Sequence, residues 1–200
     1  MKKLIIMLIA LVATMNLSAQ TAMKVLDKAS SEFKKSASVN VSFEVGVDGQ
    51  TDKGTVVLQG KKFCTSLSST TIWFDGKTMW TYVKDNEEVN VTTPSTAQLA
   101  KINPYAFLDI YKKGYNVAFG GNTKAYYEVI LTATDKKTAM QKAIVRIDKK
   151  DYHPTYIMMG QARGNLEISI TSYKTGKKLA DSAFQFNKKK YPKAEVIDLR

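Results

Sequence analysis

The segment VNVSFEVGV, residues 39–47, places Val39, Val41, Phe43, Val45 and Val47 at every second position, with Asn40, Ser42 and Glu44 between them. Successive side chains of a strand point to opposite faces, so this two-residue repeat demands a sheet with one dry face and one wet face. Asp48-Gly49 supplies the turn that ends it. Further short strand-like runs follow at 54–59, 62–68, 70–75, 78–84, 87–92, 115–119, 125–133, 141–148, 154–161, 164–173 and 180–187. Turn signals such as Gly120-Gly121-Asn122, Arg163-Gly164-Asn165 and Thr175-Gly176 separate many of them, which predicts one large antiparallel sheet. A sheet of that size curls toward a barrel, and its concave face must be filled by side chains, a helix or a ligand.

Two stretches break the alternation. Val25, Leu26, Ala29, Phe33 and Ala37 recur at helical spacing behind a candidate Thr21 cap, predicting an amphipathic helix over 22–38. Residues 95–113 carry Asn103-Pro104, a cap followed by a first-turn proline, with Phe107, Leu108, Ile110 and Tyr111 clustered before Gly114. One kinked helix or two short ones are expected there, as a plug or lid over the concavity.

Gly76-Lys77-Thr78 has the letters that end a phosphate-binding loop. The full motif needs a glycine five residues before Gly76, where Thr71 stands, and a helix after it, where Met79-Trp80-Thr81-Tyr82-Val83 reads as a strand. Asp75-Gly76 between Ile72-Trp73-Phe74 and that strand is a β-hairpin turn.

The first residues read as a leader. Lys2-Lys3, the apolar run Leu4–Ala13 and the small-residue end Ser18-Ala19-Gln20 have the three parts of a secretory signal peptide, giving 1–19 as leader, with an uncertainty of one residue, and 20–200 as a single domain. The apolar run is too short to span a membrane, and no Cys near the cleavage point offers a lipid attachment site, so a soluble periplasmic protein is expected. Its roughly 180 remaining residues suit one core. The lone Cys64 has no disulfide partner and reads as a small strand hydrophobe. Removing Lys2 and Lys3 lowers the formal net charge from +12 to +10. Export makes nucleic acid an unfitting partner for that charge, leaving solvated hairpin ends or attraction to anionic headgroups or an acidic protein.

Catalytic signatures are absent from the sequence. His153 is the single histidine, there is no Gly-x-Ser-x-Gly elbow, and Glu87-Glu88 lie in a turn beside Asp85-Asn86. No enzyme, metal or cofactor is expected.

The order of parts is informative: leader, amphipathic helix, a G-x-V-x-L strand, a K-F strand, the hairpin Asp75-Gly76-Lys77-Thr78-Met79-Trp80-Thr81-Tyr82, a helical insert, then Phe184-Gln185-Phe186 and Glu195-Val196-Ile197-Asp198-Leu199-Arg200. Over essentially the whole mature chain this resembles the periplasmic outer-membrane lipoprotein carriers, the LolA family. The resemblance implies an incomplete antiparallel β-barrel, a half-barrel of about eleven strands, covered by the N-terminal helix and a helical lid. It also implies a carrier that binds lipoprotein acyl chains and shuttles them from the inner to the outer membrane. Its partners would be acylated lipoproteins or other lipid cargo, a transient inner-membrane release complex and an outer-membrane acceptor, with the carrier a monomer.

On that basis Val41, Phe43, Val45, Val57, Gln59, Phe63 and Leu67 are expected as lipid-binding wall, joined by Trp80 and Tyr82, with Phe107 and Leu108 as lid. Parity alone does not say which face is concave. Two departures stand out: Gln59 occupies the place of a family arginine, and Thr65 that of a tryptophan. They leave open an alternative in which the same half-barrel serves as an envelope sensor or adaptor for a protein partner or another amphiphilic lipid.

Overall fold

The structure, a computed structural model, describes residues 21–47, 49–102, 111–138, 140–161 and 164–200. The leader and the lid positions Phe107 and Leu108 lie outside the described residues. Helix α1 covers residues 21–35. It buries Ala22, Val25, Leu26 and Ala29, the i, i+3, i+4, i+7 stripe of an amphipathic helix. On its solvent side Lys28 and Lys35 both reach Glu32 Oε1 at 3.0 Å. It stops before the expected 38, because Ser38 already belongs to the sheet.

Twelve strands follow: β1 Ser38–Val47, β2 Gln50–Gln59, β3 Lys62–Ser66, β4 Thr70–Phe74, β5 Met79–Val83, β6 Glu88–Thr92, β7 Tyr115–Asn122, β8 Tyr126–Ala133, β9 Lys142–Asp148, β10 Pro154–Gln161, β11 Gly164–Gly176 and β12 Glu195–Asp198. A short helix α2, Thr96–Ile102, lies between β6 and β7. The order across the sheet is β12-β6-β5-β4-β3-β2-β1-β11-β10-β9-β8-β7. The two outer strands are β12 and β7, which do not pair with each other, so the sheet is open. All neighbours are antiparallel except β12, which runs parallel to β6.

Two sequence expectations change here. The run 180–187 is not a strand: Asp181–Phe184 forms a 3-10 turn that sinks Phe184 to 0% exposure. The twelfth strand comes instead from 195–198, which completes the hydrogen bonding along the edge of β6. Where the insert was expected to be a lid, α2 and the buried Tyr111 are described and the residues between them are not.

The turn residues behave as their chemistry requires. Gly60 and Gly76, at φ +59° and +103°, occupy the left-handed region at the β2–β3 and β4–β5 turns. Asp75 Oδ1 accepts hydrogen bonds from the N–H groups of Lys77 and Thr78 at 2.9 and 2.8 Å, so the amides of the Gly-Lys-Thr triplet close a turn.

Candidate functional site

The strand register sorts the apolar side chains into two faces. Directly paired residues share a face, so Val41↔Val56↔Thr65↔Ile72 and Val39↔Leu58↔Phe63↔Phe74↔Met79 form rows on one side. On β11 Val41 and Phe43 meet Tyr173 and Ile170, and a further row runs Val45↔Ile168↔Ile157↔Val145↔Val129↔Phe119. These residues and the buried stripe of α1 make one apolar cluster spanning both halves of the sheet. The sheet therefore curls around α1, and this inner face is the candidate site.

Val41, Phe43, Val45, Phe63 and Leu67 all belong to that cluster or pack against it. Val41 and Phe63 are 1% exposed, so the interior beneath α1 is filled by the chain's own side chains. Farther along β1, β2 and β3 a groove of about 570 Å³ is lined by Ser42, Thr55 and Ser66, a row of the opposite face, and by Glu44 and Lys53, together with Phe43, Gly54 and Leu67. Gly54 pairs with Phe43 in the ladder. A Cβ there would lie 2.6 Å from Phe43 Cζ and 2.8 Å from Leu67 Cδ2. The absent side chain lets the phenyl ring and the leucine lie down over the backbone, forming an apolar floor between groove and core.

Two polar atoms interrupt the inner face. Thr65 Oγ1 and Thr92 Oγ1 are buried and have no hydrogen-bond partner among the described residues. Thr65 sits between Val56 and Ile72, and Thr92 beside Met79. An unmade hydrogen bond in such surroundings is unfavourable unless a guest or water completes it.

The helix is tied down by charge at its flank. Tyr111 donates its hydroxyl to Asp27 Oδ1 at 2.5 Å, and Lys112 Nζ reaches the same oxygen at 3.2 Å. The Tyr111 bond, ahead of Lys112, lowers the Asp27 carboxyl below its usual range, against a smaller upward push from burial. On another side, Lys28 Nζ lies 5.8 Å from the Tyr152 ring centre. Tyr152 itself holds a left-handed φ of +61° in the β9–β10 connection.

Four expected wall residues lie on the other face. Val57 pairs with Cys64, Cys64 with Trp73 and Trp73 with Trp80, one residue out of step with the inner rows. Tyr82 pairs with Val89 in the same outer set. There the chain's own C-terminal segment covers them. Trp73 meets Phe186 and Tyr191 with ring centres 5.7 and 5.5 Å apart, and Tyr82 meets Tyr191 at 4.7 Å. Val89, Val91 and Ala194 complete this second cluster, with Trp80, Tyr82, Phe186 and Tyr191 packed around it. Gln59 is also outward, hydrogen bonded to the Leu179 backbone. Alternation thus puts Val57, Gln59, Trp80 and Tyr82 on the face opposite Val41 and Phe63. Half-buried Cys64 shares the outer face, and burial pushes its thiol above the ordinary range, away from thiolate chemistry. Among the described residues, no three of His, Cys, Asp and Glu come together as a metal site would need.

The family model for the outer membrane lipoprotein carrier protein LolA matches residues 12–164, more than half of the chain. The chain belongs to the LolA family. Similar folds occur in an uncharacterized conserved protein from Thermus thermophilus, at TM-score 0.62 and 11% identity, covering 89% of this chain and 99% of that one. A DUF1329 family protein from Desulfovibrio piger aligns at TM-score 0.51 and 10% identity over 84% and 97%. A LolA superfamily protein from Nitrosomonas europaea aligns at 0.42 and 17% identity over 82% and 97%. No curated protein matches the sequence. In this LolA-family chain Gln59 points outward, and Thr65 is buried with no hydrogen-bond partner for its hydroxyl among the described residues. Among the described residues no helix is long and apolar enough to cross a membrane.

Proposed function

We propose that this protein is a non-enzymatic periplasmic carrier that receives the acyl chains of lipoproteins between α1 and the inner face and conveys them from the inner to the outer membrane. The observation that carries the reading is the construction of the interior. One continuous apolar surface wraps α1 and meets Leu99 and Ile102 of α2, and it contains two buried hydroxyls, Thr65 Oγ1 and Thr92 Oγ1, that have no hydrogen-bond partner among the described residues. An interior meant to stay closed gains from pairing or replacing such hydroxyls.

Loading then means exchange of contacts. Each buried CH2 contributes ~0.8 kcal/mol of transfer energy in protein or bilayer alike, so the net affinity is set by what must be displaced. Displacement of α1, Phe43 and Leu67 from one another exposes the surface that acyl chains cover on binding, and the closed form is restored on release. Protein stripped of lipid and incubated with a labelled triacylated lipopeptide is expected to form a soluble stoichiometric complex. Failure to bind any acylated ligand would remove the reading.

The alternative of an adaptor holding a partner segment in the groove draws on Gln59, which is committed to the chain's own tail where the family has its arginine. A protein captured from envelope extract in stoichiometric amount, independent of acylation, would favour it.

A further inference from the structure

In the half of the sheet from β12 to β1, charge is sorted by strand end. At the end formed by the β2–β3 and β4–β5 turns, Lys61 and Lys77 are exposed at the turn tips. These turns are two strand spacings apart, about 10 Å. The segment leaving β11 runs along the same end. Ser38 donates its hydroxyl to the Lys177 carbonyl at 2.8 Å, Gln59 holds Leu179, and Lys62 Nζ meets Asp181 at 2.7 Å, which brings Lys177 and Lys178 onto the rim. The acids nearby are already engaged: Asp75 with the turn amides, Asp181 with Lys62 and Asp198 with Arg200. Among the described residues, Lys61, Lys77 and Lys177 have no carboxylate within ion-pair distance. At the opposite end of the same strands, the strands and turns carry Glu44, Asp52, Asp85, Glu87, Glu88 and Glu195 against Lys53 and Lys84, and the C-terminal segment brings Lys188 and Lys193 beside them. Two of the large exposed apolar side chains also belong to the basic end: Leu179, 38% exposed, beside Gln59, and Leu199, 61% exposed, just past β12.

We propose that this rim docks the protein onto a bilayer carrying anionic phospholipid headgroups. Lys61, Lys77, Lys177 and Lys178 would lie over the phosphates, with Leu179 and Leu199 entering the interface. Lysines on separate turn tips are hydrated point charges without a shared, fixed geometry, which suits a plane of mobile phosphates better than one oriented carboxylate. Exposed leucines beside them add the apolar half of an interfacial anchor. The far end mixes carboxylates with its lysines and so attracts anionic headgroups less than the rim does. The groove beside Phe43 lies toward that far end, and a docked molecule presents it to the aqueous side. None of this rests on acyl carriage, since cargo-free protein docks equally.

The test is flotation of purified, lipopeptide-free protein with phosphatidylcholine vesicles, with or without phosphatidylglycerol. Binding is expected with the anionic vesicles, weakening with salt. The triple variant K61E/K77E/K177E is expected to lower it on the order of 100-fold. The variant K53E/K84E/K142E, with the same change in net charge, is expected to stay within about threefold, circular dichroism confirming the fold of both. Equal binding to neutral vesicles, equal loss in the two triples, or retention on immobilised polyglutamate without any vesicle binding would each overturn the proposal, the last in favour of an acidic polypeptide partner.

Discussion

Gln59 grips the backbone of Leu179 from both sides of its side-chain amide. Nε2 donates to the Leu179 carbonyl at 3.1 Å, and the Leu179 N–H donates to Oε1 at 2.7 Å. One residue at the end of β2 thereby fixes the point where the C-terminal segment leaves the rim to cross the outer face. Each such bond nets about 0.5–1.5 kcal/mol, and this pair is solvent-accessible, so Gln59→Ala is expected to cost about 1 kcal/mol of global stability. The local effect is larger. Proteolysis between Lys177 and Lys178 should accelerate well before global unfolding, and an unchanged cleavage rate would show that the aromatic cluster alone holds the segment.

Tyr111 and Asp27 make the corresponding tie on the helix side. Because the folded state holds Asp27 below its ordinary pKa, this stability is present above the unfolded value and disappears as pH falls through the lowered folded one. Asp27 is half exposed, so solvent screening discounts the bond. Tyr111→Phe is expected to destabilise by about 1 kcal/mol at neutral pH, the gap from wild type closing in strong acid. Denaturant melts from neutral pH into strong acid check it; a gap that persists undiminished once the carboxylate is protonated would mean that packing around Tyr111, and not the carboxylate, is what the substitution disturbs.

Gly54 is where groove and core meet. Gly54→Ala forces a methyl against Phe43 and Leu67 and is expected to cost about 1–3 kcal/mol. In the Phe43→Ala background the nearest obstruction is gone, so the same methyl should cost less. A coupling of about 0.5–3 kcal/mol between the two changes, from a double-mutant cycle, is the expected result. Simple additivity would show that Leu67 and the backbone alone set the penalty.

The alternation in β1 was enough to read the sheet, the period of α1 and the turn at Asp75-Gly76, because each is a local signal carried by neighbours in sequence. Val39, Val41 and Phe43 are buried on the face that meets the helix, as their spacing requires. What the sequence did not reveal was which face each later strand turns inward. Trp80 and Tyr82 are aromatic like a cavity wall, yet they lie outward because a distant segment, 184–194, supplies Phe186 and Tyr191 to cover them. Parity within one strand says nothing about the next until the register is known. The tail misled for the same reason. Phe184-Gln185-Phe186 alternates like a strand, but Phe184 is buried through a 3-10 turn, and the edge of β6 is completed by Glu195–Asp198 in parallel orientation. The groove beside Phe43 could have been suspected from Gly54, a glycine opposite an aromatic inside a strand pattern, which marks a close approach to the backbone.

Thr65 separates a structural interior from a receptive one. Its hydroxyl is buried between Val56 and Ile72 with no partner among the described residues, and an unmade hydrogen bond there would cost stability. Thr65→Val keeps the shape and removes that cost, and is expected to raise the stability of cargo-free protein by about 1 kcal/mol in chemical denaturation. If the hydroxyl meets a guest, the same substitution weakens lipopeptide binding by roughly fivefold, about the worth of one hydrogen bond. Thr65→Trp, a far bulkier side chain, is expected to weaken binding further by occupying the space. Valine that stabilises the empty protein and leaves lipopeptide affinity unchanged would place the cargo away from β3 and confine it to the groove beside Phe43.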